Sequence, residues 1–463
     1  MGIDLGPTAR ARLGELRSSG AAHAVVDHLH RLIAEGSDFD CWKINPFLVA
    51  KSTGASRLES VRAFLFATRL GVTDLTWDIH CPSCLGQPTF YRHLMSLERR
   101  SHCRICELDW DLDFEDQVEA TFTVNPELRA IDAAEFEELT WPAAKPRYLR
   151  RLMRDGRLPL LGLPLERNGT AVAEVTLPAG EYDYQVPGHP EGAGRLTVAG
   201  EPSAAEQPLE LNVAVDALVS PARVTVRPGR LRVSVASAYP KEFSGLRIGP
   251  HADRRDWVPD WVSAAYVTGL QDFRDLFSSE YLAPDLAFAV RSTTLMFSDI
   301  RGSTQLYERL GDARAYALVQ EHFRVMTEVI RRFEGGIIKT IGDAVMASFP
   351  SSAQAVEAAL EVHAAFKRAA SPLGDIAVKI GLHRGPAIAV TSNRALDFFG
   401  RTVNIAARVQ GRADAGEVLL SEAVLADPRA QAVLAEHGLA PRMIETELKG
   451  LAGRFHLAAL RPD

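Results

Sequence analysis

At 463 residues with a formal net charge of -7, the chain is too long for one ordinary core and too acidic to suggest broad binding to nucleic acid or a membrane surface. Its apolar and charged fractions, 46% and 24%, are those of a globular protein, and roughly three or four domains are expected. No run approaches the ~20 apolar residues of a membrane helix, five cysteines are too few for a disulfide framework, and residues 1–6 lack the regions of a signal peptide, so a cytoplasmic protein is expected.

Residues 1–77 read as a helical unit. Ala22, Val25, Val26, Leu29 and Leu32 recur at helical spacing. Ser56 and Glu59 have the form of a capping box ahead of Val61, Phe64, Leu65 and Leu70, and Gly71 is placed to stop that helix. A strand at 75–79 would make the unit winged-helix-like. No helix here is rich in the Arg, Asn and Gln that read bases, so a packing domain is the preferred reading.

Residues 78–125 contain Cys81-Pro82-Ser83-Cys84 and Cys103-Arg104-Ile105-Cys106. Two Cys-x-x-Cys knuckles at this separation predict a zinc ribbon, with each pair gripping one edge of a tetrahedral ion. Four thiolates fill the shell, so the Zn²⁺ would be structural and would supply folding energy that a small module lacks. The acidic run Glu107, Asp109, Asp111, Asp113, Glu115, Asp116 would repel phosphate, so no nucleic-acid partner is expected.

From 126 to 250 the pattern turns to alternation, as in 173–177, 209–215, 223–227 and 230–235, broken by Pro and Gly turns. It reads as a β-sandwich-like domain with no catalytic cluster. Within 251–284, Val267, Leu270, Phe273 and Phe277 lie at the spacing of one helix face, and Pro284 would end that helix. This linker is either a docking helix or a transmitter between the N-terminal half and the C-terminal domain.

Residues 285–463 carry the chemistry. A buried strand at 294–297 would leave Asp299 just past its end. Gly302, Ser303 and Thr304 turn into a helix whose N-terminus can face phosphate. A further helix shows Val319, Phe323, Met326 and Ile330 as its core face. Strands at 337–341 and 344–349 flank Gly342-Asp343, a hairpin turn that would bring Asp343 toward Asp299. Carboxylates so placed repel each other unless hard divalent cations, Mg²⁺ or Mn²⁺, lie between them. A helix at 353–367 and a strand at 376–382 complete the β-α-β-β-α-β order of a ferredoxin-like fold. Gly335 to Thr340 lacks the spacing of a P-loop.

The segments Phe297-Ser298-Asp299-Ile300, Lys339-Thr340-Ile341-Gly342-Asp343 and Asp397 through Asn404 to Arg408, in this order, resemble the catalytic domain of class III nucleotidyl cyclases of bacterial type. The resemblance implies that Asp299 and Asp343, helped by the Ile300 carbonyl, hold two Mg²⁺ or Mn²⁺ ions. It implies that Asn404 positions the ribose, Arg408 stabilises the α-phosphoryl charge and Lys449 contacts the triphosphate. Lys339 and Asp397 match the purine-reading positions. A lysine donor and an aspartate acceptor suit adenine N1 and N6 and would meet the wrong partners on guanine, so ATP is the expected substrate. The segment between Gly385-Pro386 and Asp397 is shorter than in many members. One chain holds one such domain, so the family's shared sites imply a homodimer.

The resulting expectation is a multidomain α+β adenylate cyclase that makes cyclic AMP and pyrophosphate under the control of a regulatory ligand or protein acting on its N-terminal half. The alternatives are a ligand sensor or nucleic-acid-binding regulator with a degenerate cyclase domain. The intact residue set disfavours the first and the acidic balance the second.

Overall fold

The computed structural model describes residues 5–81, 87, 89–103, 108–132, 160–166, 168–186, 192–239, 243–251, 261–284, 286–369, 371, 373 and 376–462. The chain opens with α1 (Pro7–Ser18), α2 (His23–Glu35), α3 (Asp38–Cys41), α4 (Pro46–Thr53) and α5 (Arg57–Arg69). The stripe on α2 buries Val25, Val26, Leu29 and Ile33, while Leu32 is only half-buried. At the start of α5, Ser56 N donates to Glu59 Oε2 (2.8 Å) and Glu59 N donates to Ser56 Oγ (3.1 Å), so two donors that the helix leaves over are satisfied. Beyond its end, Gly71 has φ of +70°.

Next come β1 (Thr73–Ile79), β2 (Thr89–Tyr91), β3 (Arg100–Cys103), β4 (Leu108–Asp111) and β5 (Val118–Val124). β1 pairs with β5 along its whole length and with β2 on its other edge, while β3 and β4 form a separate hairpin. The expected boundary between 77 and 78 therefore falls inside β1. Cys81 and Cys103 are buried; Cys84 and Cys106 lie outside the described residues. Among the described residues no group of three or more His, Cys, Asp and Glu side chains is arranged to hold a metal.

The β-rich region contains β6 (Leu161–Glu166), β7 (Thr170–Leu177), β8 (Gly180–Gln185), β9 (Gly194–Val198), β10 (Ser203–Val213), β11 (Val219–Ser220), β12 (Arg223–Val226), β13 (Gly229–Ser237) and β14 (Phe243–Pro250). They form two sheets, β11-β10-β13-β7 and β12-β9-β8-β14-β6. Alternate residues such as Leu209, Leu211, Val213, Leu231, Val233 and Val235 enter one shared core with Tyr184, Leu196 and Leu246 from the other sheet.

The linker departs from the expected single helix. It forms α6 (Ala264–Gly269) and α7 (Gln271–Leu276), with Leu270 extended between them at φ -76° and ψ 138°. The break is tertiary in origin: Gln271 N donates to Gly335 O (3.1 Å), and Gln271 Oε1 accepts from Ile337 N (2.8 Å). Gly336 permits this approach, since a Cβ there would lie 2.2 Å from Gly269 O. α7 ends well before Pro284.

The last region runs β15 (Phe288–Ile300), α8 (Ser303–Leu310), α9 (Asp312–Arg332), β16 (Gly336–Ile341), β17 (Ala344–Phe349), α10 (Ser352–Arg368), β18 (Val378–Ser392), β19 (Ala395–Phe399), α11 (Arg401–Gln410), β20 (Val418–Ser421), α12 (Glu422–Leu425), α13 (Pro428–Glu436), β21 (Arg442–Glu447) and β22 (Arg454–Leu460). The order β16-β17-β15-β18 is that of a ferredoxin-like sheet, continued by β20, β22 and β21. Period-2 alternation gives the sheet two apolar faces. Met296, Val345, Ala347 and Phe349 pack under α9 and α10. Leu295, Phe297, Ile338, Met346, Leu396 and Phe398 instead belong to the same core as Phe64, Trp77, Phe122, Val267 and Phe273. The N-terminal half thus shares a core with this sheet through α6 and α7; the rings of Trp77 and Phe273 lie 5.9 Å apart, centroid to centroid. Among the described residues no helix is long and apolar enough to cross a membrane.

Candidate active site

β15 is longer than expected. Asp299 and Ile300 are its last two residues rather than lying beyond its end, because pairing with β18 continues through Asp299↔Lys379 and Ile300↔Val378. β16 and β17 close through the expected two-residue turn, with Gly342 at φ +64° and Asp343 half-buried. The turn folds back on the end of β15, where Ile300 N donates to Asp343 Oδ2 (3.2 Å). Burial, and then the charge of Asp299, push the Asp343 carboxyl above the usual aspartate range, against hydrogen bonds that favour its anion. Lys379 Nζ stands 2.8 Å from Asp299 Oδ2 and offsets part of the negative charge. The corner is therefore a place where a hard cation would relieve carboxylate repulsion.

His322, on α9, feels the charge of Asp299 but is no proton carrier at neutral pH. Burial pushes its pKa down to about 4, and neither ring nitrogen finds a hydrogen-bond partner among the described residues.

A second pair forms where β16 faces β19. Lys339 Nζ lies 2.7 Å from Asp397 Oδ2, and Phe398 N donates to Asp397 Oδ1 at 2.8 Å. Asp397 is buried, while Lys339 keeps more than a third of its side chain exposed, at 37%. The pair thus presents one donor and one acceptor at the edge of the apolar face.

α11 lies against β18 and β15 by Thr402, Ile405, Ala406 and Val409. Gly381 and Gly385 let it sit close: a Cβ at the first would lie 2.2 Å from Gln410 N, and at the second 2.7 Å from Thr402 Oγ1. The helix leaves Asn404 and Arg408, one turn apart, exposed on the same side. Lys449 is exposed in the turn between β21 and β22.

The fold therefore brings Asp299, Ile300 and Asp343 together, and Lys339 and Asp397 together. Among the described residues, no hydrogen bond or ion pair joins Asn404, Arg408 or Lys449 to either group. Sequence reasoning missed Lys379, which carries no local signal. It also missed Arg274, which had one: an arginine on the stripe Val267, Leu270, Phe277.

Fold and site together define a nucleotide cyclase domain, and residues 288–439 match the family described as the adenylate and guanylate cyclase catalytic domain. The chain belongs to the family of unknown function DUF5939, whose match covers residues 7–242. Over 164 residues the chain is 32% identical to an adenylate cyclase of Lachancea kluyveri, covering 30% of this chain and 9% of that protein. Adenylate cyclase 2 of Rhizobium meliloti is 27% identical over 156 residues, covering 31% of this chain and 42% of that protein. The chain thus spans well under two thirds of these relatives. The crystal structure of the adenylyl cyclase CyaB from P. aeruginosa is 21% identical, covers 38% of this chain and 95% of that one, and has a TM-score of 0.32.

Proposed function

We propose that the protein is an adenylate cyclase, converting ATP to 3′,5′-cyclic AMP and pyrophosphate in sites shared between two copies of the chain, under control of its N-terminal half. The observation that carries the reading is the carboxylate corner. Asp299 and Asp343 meet at one end of the sheet, and burial together with the charge of Asp299 holds a proton on Asp343 more tightly than usual. That donor set fits Mg²⁺ or Mn²⁺, with Asp299, Asp343 and the Ile300 carbonyl as ligands. Ions bound there would supply charge that eases loss of the ribose 3′-hydroxyl proton and neutralises the departing pyrophosphate.

The ribose 3′-oxygen attacks the α-phosphorus, the bond to the β-phosphate oxygen breaks, and pyrophosphate leaves. This chain's side chains contribute position and charge. Lys339 donates to adenine N1, and Asp397 accepts from N6. A second copy's Asn404 orients the ribose, its Arg408 meets the charge growing on the α-phosphoryl oxygens, and its Lys449 holds the triphosphate. Asn404 and Arg408 are exposed and, among the described residues, make no hydrogen bond or ion pair with the carboxylates, which supports their serving a neighbour's site. Control by the N-terminal half is supported by the core it shares with the catalytic sheet.

The base assignment is tested by exchanging donor and acceptor. Lys339→Glu with Asp397→Cys should lower kcat/KM for ATP and raise it for GTP, by roughly ten- to a hundredfold per mismatched group. Unchanged ATP-to-GTP preference would show that these positions do not read the base.

A further inference from the structure

Arg274 comes from α7, outside the residues that match the catalytic domain. It nevertheless reaches β19, the strand that carries Asp397. Its Nη1 donates to Leu396 O at 3.1 Å, and the next residue is Asp397. Its Nε and Nη2 are buried and have no hydrogen-bond partner among the described residues. A guanidinium is a poor group to leave half satisfied, because each unmet buried donor carries its full desolvation cost. Burial lowers its pKa to about 10, and the charge of Asp397 opposes that fall, so Arg274 remains a cation beside an aspartate at neutral pH. Asp397 accordingly has two cations near it: Lys339, paired with its Oδ2, and Arg274, hydrogen-bonded to the carbonyl of the preceding residue.

The helix that carries Arg274 is held on both sides. Asp272 accepts an ion pair from Arg62 of α5 (2.9 Å) and another from Arg331 of α9 (3.7 Å), while Asp275 also pairs with Arg331. Gln271 bonds the start of β16, the strand that carries Lys339. α7 therefore touches both strands of the base-reading pair and, through α5, the N-terminal half.

We propose that Arg274 is a positioning residue for purine recognition: it fixes β19 through the Leu396 carbonyl and so holds the adjoining Asp397 in place against Lys339. The N-terminal half thereby supplies part of the support for base reading, and a movement of α5 that shifts α7 changes nucleotide affinity before it changes chemistry. The inference rests on the assignment of Lys339 and Asp397 to the adenine ring.

The test uses the full chain and steady-state kinetics with ATP and GTP. Arg274→Gln keeps a donor for the Leu396 carbonyl and removes the charge. It should raise KM for ATP roughly tenfold, leave kcat within about threefold and erode the preference for ATP. Arg274→Lys keeps the charge without the planar fork and should raise KM only about threefold. In an Asp397→Asn background, Arg274→Gln should add little further effect. A kcat loss with unmoved KM, a full additional KM effect in the Asp397→Asn background, or an unmoved KM in Arg274→Lys should the Gln variant fail to fold, would each overturn the proposal. If Lys339→Glu with Asp397→Cys leaves base preference unchanged, the base-reading assignment itself has failed. If that double variant switches preference while Arg274→Gln does nothing, only the role of Arg274 has.

Discussion

Asp299→Ala and Asp343→Ala should each cut turnover by roughly a thousandfold or more, the rate equivalent of losing about 4 kcal/mol of charge stabilisation in the transition state. The fold should survive both. Asp299 stands at the end of a strand held by backbone pairing, and Asp343 in a two-residue turn between two paired strands. Asp299→Ala removes one of the two causes that raise the Asp343 carboxyl but also loses the ion pair with Lys379, so the melting temperature of metal-free protein should move little. Turnover at saturating Mn²⁺ and a thermal melt check both halves. Near-parental activity in either variant would remove the carboxylate corner from the mechanism.

A second large effect is expected from mixing. Asp299→Ala and Arg408→Ala proteins should each be inactive, and a mixture of the two should recover activity. In a mixed dimer one site holds both defects and the other neither. Random pairing makes half of the dimers mixed, so recovery should approach about a quarter of parental activity under two-fold symmetry. Mixing that restores nothing despite confirmed subunit exchange would refute sites shared between copies. Full activity of monomer at high dilution would do the same.

The parts of this molecule that were legible in sequence are those decided locally. The β16–β17 hairpin has two apolar runs and a Gly at the position that needs positive φ, and its tip residue, Asp343, is where the turn requires it. The α5 capping box and the alternating strands of the sandwich are equally local. What escaped was decided at a distance. The 264–276 segment keeps a helical stripe, yet Leu270 is extended because Gln271 is hydrogen-bonded to the edge of β16. The full length of β15 depends on β18, more than seventy residues later. The pairing of β1 with β5 ties the helical unit to the segment expected to form the ribbon, and no composition shift marks it. In the site, Asp299, Asp343, Lys339 and Asp397 were readable as motif residues. Lys379 and Arg274 acquire meaning only when folding sets them beside Asp299 and Asp397.

The central claim is cyclisation of ATP, and the most direct measurement is product analysis. Purified full-length protein is incubated with ATP labelled at the α-phosphate, with Mg²⁺ or Mn²⁺ and with EDTA in a parallel sample. The account predicts metal-dependent formation of 3′,5′-cyclic AMP and equimolar pyrophosphate, absent from the EDTA sample and from Asp343→Ala protein. Release of ADP or AMP without cyclic AMP, or cyclic AMP at equal rates in Asp343→Ala protein, would contradict it.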